Sequence, residues 1–334
     1  MLLIIELLGD VMNKVFFALF KNAVIIFLFF LSMMQMQVVR AESIVRVSML
    51  APSALLWLHA IAEDQGFYKS RSLKIESLVV GSSAALVQSV ASGSVEAGIA
   101  LGDLTIRAID KGAPIIISGA VLDKTILRLV GGAGIVDAKQ LAGANITAGA
   151  VEGGTANLLR YQLLKLGINP NDTKMVSLTN SRDRLVALEN GQVKGALLIA
   201  PFDTLAENQG MKVLDVYKDP YLQTPLILNK EWASKNREVA KNLTSALQAA
   251  ARWIYIPGNK SKSISILAKY TNTDEKICEG SYKFIVEDQK AIARDLRVSS
   301  ASLENIIKID EALGAKQTGQ FEVKKYYDPS FQSQ

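Results

Sequence analysis

From residue 44 onward the chain alternates short apolar runs with amphipathic stretches that end in glycine. Ile44-Val45-Arg46-Val47-Ser48-Met49 alternates apolar and polar side chains with the two-residue period of a strand. Pro52-Ser53 then opens a helix through Leu55, Leu58, Ile61 and Ala62, and Gly66 stops it. Residues 73–80 read as a second strand, followed by Gly81-Ser82-Ser83 and a helix over 84–91. Gly93 falls where a left-handed residue is wanted to end that helix. A short buried strand at 97–101, a helix at 104–111 and an apolar run at 115–121 follow. This alternation predicts a mainly parallel sheet covered by helices.

The same grammar returns after Val136. A strand at 145–150 leads through Gly153-Gly154-Thr155 into a helix over 156–166, closed by Gly167, with Pro170 forbidding its continuation. Residues 174–178, 182–188, 194–199, 202–207 and 212–216 alternate again as strand and helix. Past Pro225 the pattern becomes helical, at 236–256, 261–270, 275–286 and 302–313, with an irregular tail from Gly314. The two halves also match each other. Ala91-Ser92-Gly93-Ser94-Val95 lies 98 positions before Glu189-Asn190-Gly191-Gln192-Val193, and the same offset carries Gly112 onto Gly210 and Ala108 onto Ala206. Two similar α/β lobes are expected. Ligands in such sheets bind beyond the C-terminal strand ends, so the loops of the two lobes face each other across a cleft.

Residues 1–41 stand outside this pattern. Lys14 and Lys21 precede an unbroken apolar run at 23–31, which meets Ser32 and a Met/Gln-rich stretch. Val39-Arg40-Ala41 then supplies small residues at the usual cleavage positions, and the whole reads as a secretory signal peptide. A transmembrane anchor is the alternative, but the clean apolar part is shorter than the ~20 residues a span needs. No Cys lies nearby to carry a lipid. Met12-Asn13-Lys14 reads as a more usual signal-peptide start than Met1. Without residues 1–41 the chain keeps 34 basic and 30 acidic residues, and it is expected to be soluble and periplasmic.

Composition narrows the chemistry. A single Cys, Cys278, excludes an intramolecular disulfide framework, a zinc ribbon and a Cys-ligated cluster. A single His, His59, excludes a multi-histidine metal site and leaves at most one imidazole for acid–base work. Neither a metal nor a cofactor is expected. His59 lies one turn into the first helix and reads as a packing residue, and Cys278 as a buried small side chain. The net charge of +5 is not gathered into a basic run, so no nucleic-acid partner is expected.

The candidate ligand contacts lie in the post-strand loops. Gly81-Ser82-Ser83-Ala84 and Gly153-Gly154-Thr155-Ala156 each put small residues and hydroxyls at the start of a helix that follows a strand. Such a start either holds an anionic ligand group at its free N–H groups or is ordinary N-capping. Neither is a phosphate-binding loop, because no Gly-Lys-Ser/Thr follows. Ser53 and Trp57 follow the first strand; the indole either stacks on a ligand or packs in the core. Asp103 and Asp203 lie in equivalent loops of the two lobes, Asp203 beside Pro201, and either accept from a ligand or cap the next helix. Arg128, in an apolar strand near the lobe crossover, either pairs with an anionic ligand or forms a salt bridge. The ligand-binding candidates are thus Ser53, Trp57, Ser82, Ser83, Asp103, Arg128, Gly154, Thr155 and Pro201.

A family resemblance rests on Gly66-Phe67-Tyr68, on Gly81-Ser82-Ser83, on the run from Val90-Ala91-Ser92-Gly93-Ser94 through Val95-Glu96-Ala97-Gly98-Ile99-Ala100, and on Ile109-Asp110-Lys111-Gly112-Ala113-Pro114-Ile115. Together with Ala200-Pro201-Phe202 and Ala249-Ala250-Ala251-Arg252-Trp253, these resemble the nitrate/sulfonate/taurine substrate-binding proteins of ABC transporters, a family that also includes thiamine-pyrimidine-synthase-like domains. The resemblance implies the type II bilobal periplasmic-binding-protein fold. The lobes would be residues 42–124 plus 225–334, with the C-terminal helices, and residues 125–224. Hinge crossings would fall near 122–128 and 224–228. It further implies a monomer that captures a small molecule and delivers it to a membrane ABC permease. The pyrimidine-synthase enzymes of the family use a lysine, a histidine and a Cys-rich stretch; this chain has no Cys-rich stretch, which argues against catalysis. Anionic ligands are usual in the family, while Asp103 and Trp57 leave a pyrimidine open. An exported enzyme using His59 and a sensor using the same closure are the rival readings.

Overall fold

The computed structural model describes residues 42–315 and 321–332, with Lys21 by itself before them. The remaining residues expected to form the signal peptide lie outside the described residues. Among the described residues no helix is long and apolar enough to cross a membrane.

The first half runs β1 (Ser43–Met49), a 3-10 turn at Ala54–Leu56, α1 (Trp57–Asp64), β2 (Leu73–Val79), α2 (Ser83–Ala91), β3 (Ala97–Ile99), α3 (Gly102–Asp110) and β4 (Ile115–Lys124). The chain then crosses and runs β5 (Leu127–Gly131), β6 (Asn145–Gly149), α4 (Gly154–Lys165), β7 (Lys174–Ser177), α5 (Ser181–Glu189), β8 (Gly195–Ile199), α6 (Phe202–Asn208) and β9 (Lys212–Val216). It returns through β10 (Pro220–Asn229) to α7 (Lys230–Lys235), α8 (Arg237–Trp253), α9 (Lys260–Thr271), α10 (Glu275–Tyr282), α11 (Ser300–Ala312) and α12 (Val323–Tyr326). The expected late helix at 275–286 is thus α10 continued by a π-helical segment, Lys283–Asp288.

Two five-stranded mixed sheets result, ordered β2-β1-β3-β10-β4 and β7-β6-β8-β5-β9. In the first, β1 is parallel to β2 and β3, while β10 lies antiparallel between β3 and β4. The second repeats this: β6 is parallel to β7 and β8, and β5 lies antiparallel between β8 and β9. The architecture is the bilobal α/β binding-protein fold.

The internal repeat has a backbone basis. At the 98-residue offset, α2 superposes in sequence on α5, and Gly93 and Gly191 both end their helices at positive φ, +74° and +68°. Gly112 and Gly210 do the same after α3 and α6, at +88° and +85°. A side chain at these positions would be strained, so the glycines set where each helix turns back into the sheet.

Two expectations shift. Residues 224–228, where a crossing was expected, lie inside β10, with Thr224 opposite Leu122 and Leu228 opposite Ile116. The link from β9 to β10 occupies 217–219 instead. Pro225 changes the composition because it sits at a register shift in the ladder, where its missing N–H is tolerated. Within the tail, residues 321–332 are also more ordered than expected. Tyr327 bridges Ile117 in parallel, and Tyr326, Tyr327 and Phe331 are buried against the main core.

Trp57 sits in that core, 1% exposed, where its Nε1 donates to the Ser263 carbonyl at 3.0 Å. Its ring meets Tyr282 edge to face at 6.1 Å. Burial plus a satisfied indole donor makes it a packing residue joining α1 to the C-terminal helices. Trp57→Phe, which removes the indole hydrogen bond and part of the ring volume, is expected to lower stability by about 2 kcal/mol, read from urea unfolding.

Candidate functional site

A cleft of ≈ 550 Å³ opens where the loops after β1 and β2 meet those after β7 and β8. The first half contributes Leu50, Ala51, Pro52, Ser53 and Leu55, together with Val79, Val80 and Gly81. Thr179, Asn180 and the first turn of α5 form the opposite wall, with Ile199 and Phe202 beside them. Tyr270, Thr271 and Asn272, at the C-terminal end of α9, close one end. The halves touch across this cleft. The Ala54 N–H donates to the Ala200 carbonyl at 3.0 Å. Arg182 donates through Nη2 to the Thr271 carbonyl at 3.3 Å, a C-terminal helix carbonyl that favours a cation, and its guanidinium lies 5.0 Å from the Phe202 ring centroid.

The dominant electrostatic feature is Arg184. It lines the cleft yet is only 2% exposed. Nη2 donates to Ser181 Oγ at 2.8 Å and Nε to the Asn180 carbonyl at 3.3 Å, which fixes the guanidinium against its own helix start. Nη1 has no partner. Asp183, the carboxylate beside it in sequence, is taken by Asn180, whose Nδ2 donates to Asp183 Oδ2 at 2.5 Å. Burial lowers the Arg184 pKa to about 10, with Asp183 pulling weakly the other way. The group therefore stays charged at neutral pH. A buried charge without a counter-ion costs several kcal/mol, and an anion placed at Nη1 would offset that cost.

The structure distributes the expected residues unevenly. Ser53 lines the cleft and is 6% exposed. Pro201 is buried between two lining residues, Ile199 and Phe202. Ser82 caps α2, its Oγ accepting from the Ala85 N–H at 3.2 Å, and only the preceding Gly81 lines the cleft. Ser83 begins the helix and does not line it. Arg128 on β5 is consumed by ion pairs, 2.6 Å to Asp203 and 2.6 Å to Glu207, with its guanidinium 4.8 Å from the Phe284 ring centroid.

Asp103, Gly154 and Thr155 meet one another away from the cleft lining. A Cβ built on Gly154 would fall 1.5 Å from Asp103 Oδ2, so only glycine admits the carboxylate at the start of α4. Asp103 also accepts from Arg107 at 3.2 Å; Arg107 reaches Asp310 at 2.9 Å, and Asn157 on α4 donates to Asp310 at 3.3 Å. Thr155 is 9% exposed, its Oγ1 packed where a Cβ on Gly149 would intrude. These residues join the halves.

Sequence reasoning missed Arg184 and the loop before it, although the signal was present. The 98-residue offset carries Gly81-Ser82-Ser83 onto Thr179-Asn180-Ser181, not onto Gly153-Gly154-Thr155. Gly81 and Thr179 both line the cleft, and Ser82 and Asn180 both cap the helix that follows.

Other reactive groups lie elsewhere. His59 is buried with Nδ1 3.0 Å from the Tyr68 hydroxyl, and burial lowers its pKa to about 4, so it is neutral. Burial pushes the Cys278 thiol up to about 12. Among the described residues no group of three or more His, Cys, Asp or Glu side chains could hold a metal ion. A larger groove, ≈ 820 Å³, runs between α3, α4 and α11. Its charged groups largely satisfy one another: Arg107 pairs with Asp310, Asp110 with Lys325 and Tyr326, and Arg160 donates to Asn157.

Burial raises the Asp103 pKa from 3.8 to about 6 against the pull of Arg107. The folded state thus holds this proton more tightly than the unfolded chain, and the resulting stability is complete below pH ~4 and lost as pH rises through 6. Relative to Asp103→Asn, the wild type is expected to lose on the order of 3 kcal/mol between pH 4 and pH 8, measured by urea unfolding.

A family model described as NMT1/THI5-like matches residues 59–257. No curated protein matches the sequence significantly. Among solved structures, the ligand-binding component of an ABC-type import system from Staphylococcus aureus, with zinc bound, aligns with a TM-score of 0.73 at 14% identity, covering 87% of this chain and 98% of that one. The periplasmic nitrate-binding protein NrtA from Synechocystis PCC 6803 aligns with a TM-score of 0.68 at 15% identity, covering 82% of each chain. The periplasmic aliphatic sulphonate-binding protein SsuA from Escherichia coli gives 0.65 at 15% identity, over 82% of this chain and 87% of that one. At these identities the structures establish a common fold. The sequence match spans more than half of the residues, and the chain belongs to the NMT1/THI5-like family.

Proposed function

We propose that this protein is the periplasmic solute-binding component of an ABC importer, exported on residues 1–41, which captures a small anion of the nitrate, aliphatic sulfonate or taurine kind and hands it, as a monomer, to a membrane permease. One observation carries the ligand charge: Arg184, buried in the cleft, has a free Nη1 and no carboxylate paired with it. Support for the carrier role comes from the fold and from neighbours whose names describe sulfonate and nitrate binding. A carrier of this build works by population shift. The closed form gains contacts from both halves, and ligand moves the equilibrium only by its preference for that form. The neutral-pyrimidine reading depended on Trp57 and Asp103, and neither lines the cleft. The enzyme reading depended on His59, which is neutral and buried and does not itself line the cleft.

Arg184→Met tests the assignment. Removing the cation is expected to weaken binding of nitrate, methanesulfonate or taurine by at least about 100-fold in calorimetry, in line with the loss of one partner of a buried ion pair. The unliganded melting temperature should not fall, because an uncompensated buried charge leaves with the side chain. Unchanged affinity would overturn the reading.

A further inference from the structure

Resting on that reading, we infer that Asp103 is a positioning residue for capture: from outside the cleft it takes up a proton as the halves close over it, so that ligand is held more tightly in acid than at neutral pH. Asp103 opens α3 directly after β3, the strand beside β10. A Cβ on the adjacent Gly102 would fall 1.9 Å from the Leu222 carbonyl, so the start of α3 is pressed against β10 just past the 217–219 link. The cleft-lining loops of the same half follow β1 and β2, further out in the sheet. Asp103 thus lies on the link side of the cleft, outside its lining, where rotation of the halves changes what surrounds the carboxylate.

Two walls enclose that carboxylate. Arg107 Nη2 donates to Oδ2 at 3.2 Å, Asp310 on α11 takes the same guanidinium at 2.9 Å through Nε, and Tyr221 on β10 is buried close by. The second wall is the start of α4 from the opposite half, where the missing Gly154 side chain leaves the carboxylate its place. This wall is backbone. The first charged side chain along α4, Arg160, donates to Asn157 Oδ1 at 2.9 Å, and Glu152 before the helix is exposed. One guanidinium serves two carboxylates, so covering Asp103 with α4 takes water from an anion with half a counter-ion. The positive end of α4 favours the anion, but desolvation is the largest influence on this group, and its pKa stands raised from 3.8 to about 6. Parting the halves returns this face to water and lets the proton go. The closed form therefore binds the proton more tightly, and affinity is greatest below the open-form pKa and falls as pH rises through 6.

Calorimetric titration of the purified protein with nitrate, methanesulfonate and taurine tests this at about pH 5 and about pH 7.5, where Arg184, at about 10, and His59, at about 4, keep their charge states. Binding is expected to be at least about five-fold tighter at the lower pH, with proton uptake near pH ~6 read from the dependence of the heat on buffer. Asp103→Asn keeps the shape and loses the titration, and its affinities at the two pH values should agree within about two-fold. Gly154→Ala puts a methyl where the carboxylate sits and is expected to weaken binding at least about ten-fold, while adding Asp103→Ala to it should recover most of that loss, a coupling that general damage to α4 would not produce. Equal wild-type affinity at both pH values, or the same pH dependence in Asp103→Asn, would overturn this inference and leave the carrier reading standing. Absence of binding by all three anions at either pH would overturn the carrier reading and this inference with it.

Discussion

Each sheet is completed by an antiparallel strand that enters it directly after the chain crosses between the halves. β5 leaves β4 after only residues 125–126 and inserts antiparallel between β8 and β9; β10 leaves β9 after 217–219 and inserts between β3 and β4. The inserted strands have partners on both edges, so each is fixed within its own sheet, and no backbone ladder joins the two sheets. Between the halves the backbone passes only through the two short links, 125–126 and 217–219, about which a rotation of one half against the other would turn. Arg128 belongs to this mechanical account. Its pairs with Asp203 and Glu207 and its contact with Phe284 brace β5 against α6 and the π-helical segment just beyond a link.

Much of the fold was legible because local signals and tertiary structure agree. The two-residue period marks β1, and the glycines at 93, 112, 191 and 210 mark helix ends because only glycine adopts those backbone angles without strain. Pro225 misled because composition cannot distinguish a strand that contains a bulge from the end of a domain. The tail was unreadable for another reason. Its order comes from Tyr326, Tyr327 and Phe331 reaching a core assembled far upstream, and no local pattern reports such a partner.

The loops that line the cleft were legible in the sequence, but the individual lining residues were not. Small residues and hydroxyls after strands located the loops, yet the same residue types serve three purposes here. At 82 a hydroxyl caps a helix; at 154 the absent side chain admits a carboxylate from the opposite half; at 53 a serine faces the cleft. Arg184 was passed over because an arginine in the first turn of a polar helix ordinarily points to solvent. Its burial follows from Ser181, whose hydroxyl accepts from Arg184 and also from the Ile199 N–H at 3.0 Å, pulling the guanidinium in toward β8.

The meeting of Asp103 with Gly154 has a mechanical meaning. With the carboxylate packed against the glycine backbone, the halves cannot come closer together at this point, so the contact acts as a stop. The nearest approach of the two halves is therefore dictated by backbone and one carboxylate, and so is the narrowest width the cleft between them can take.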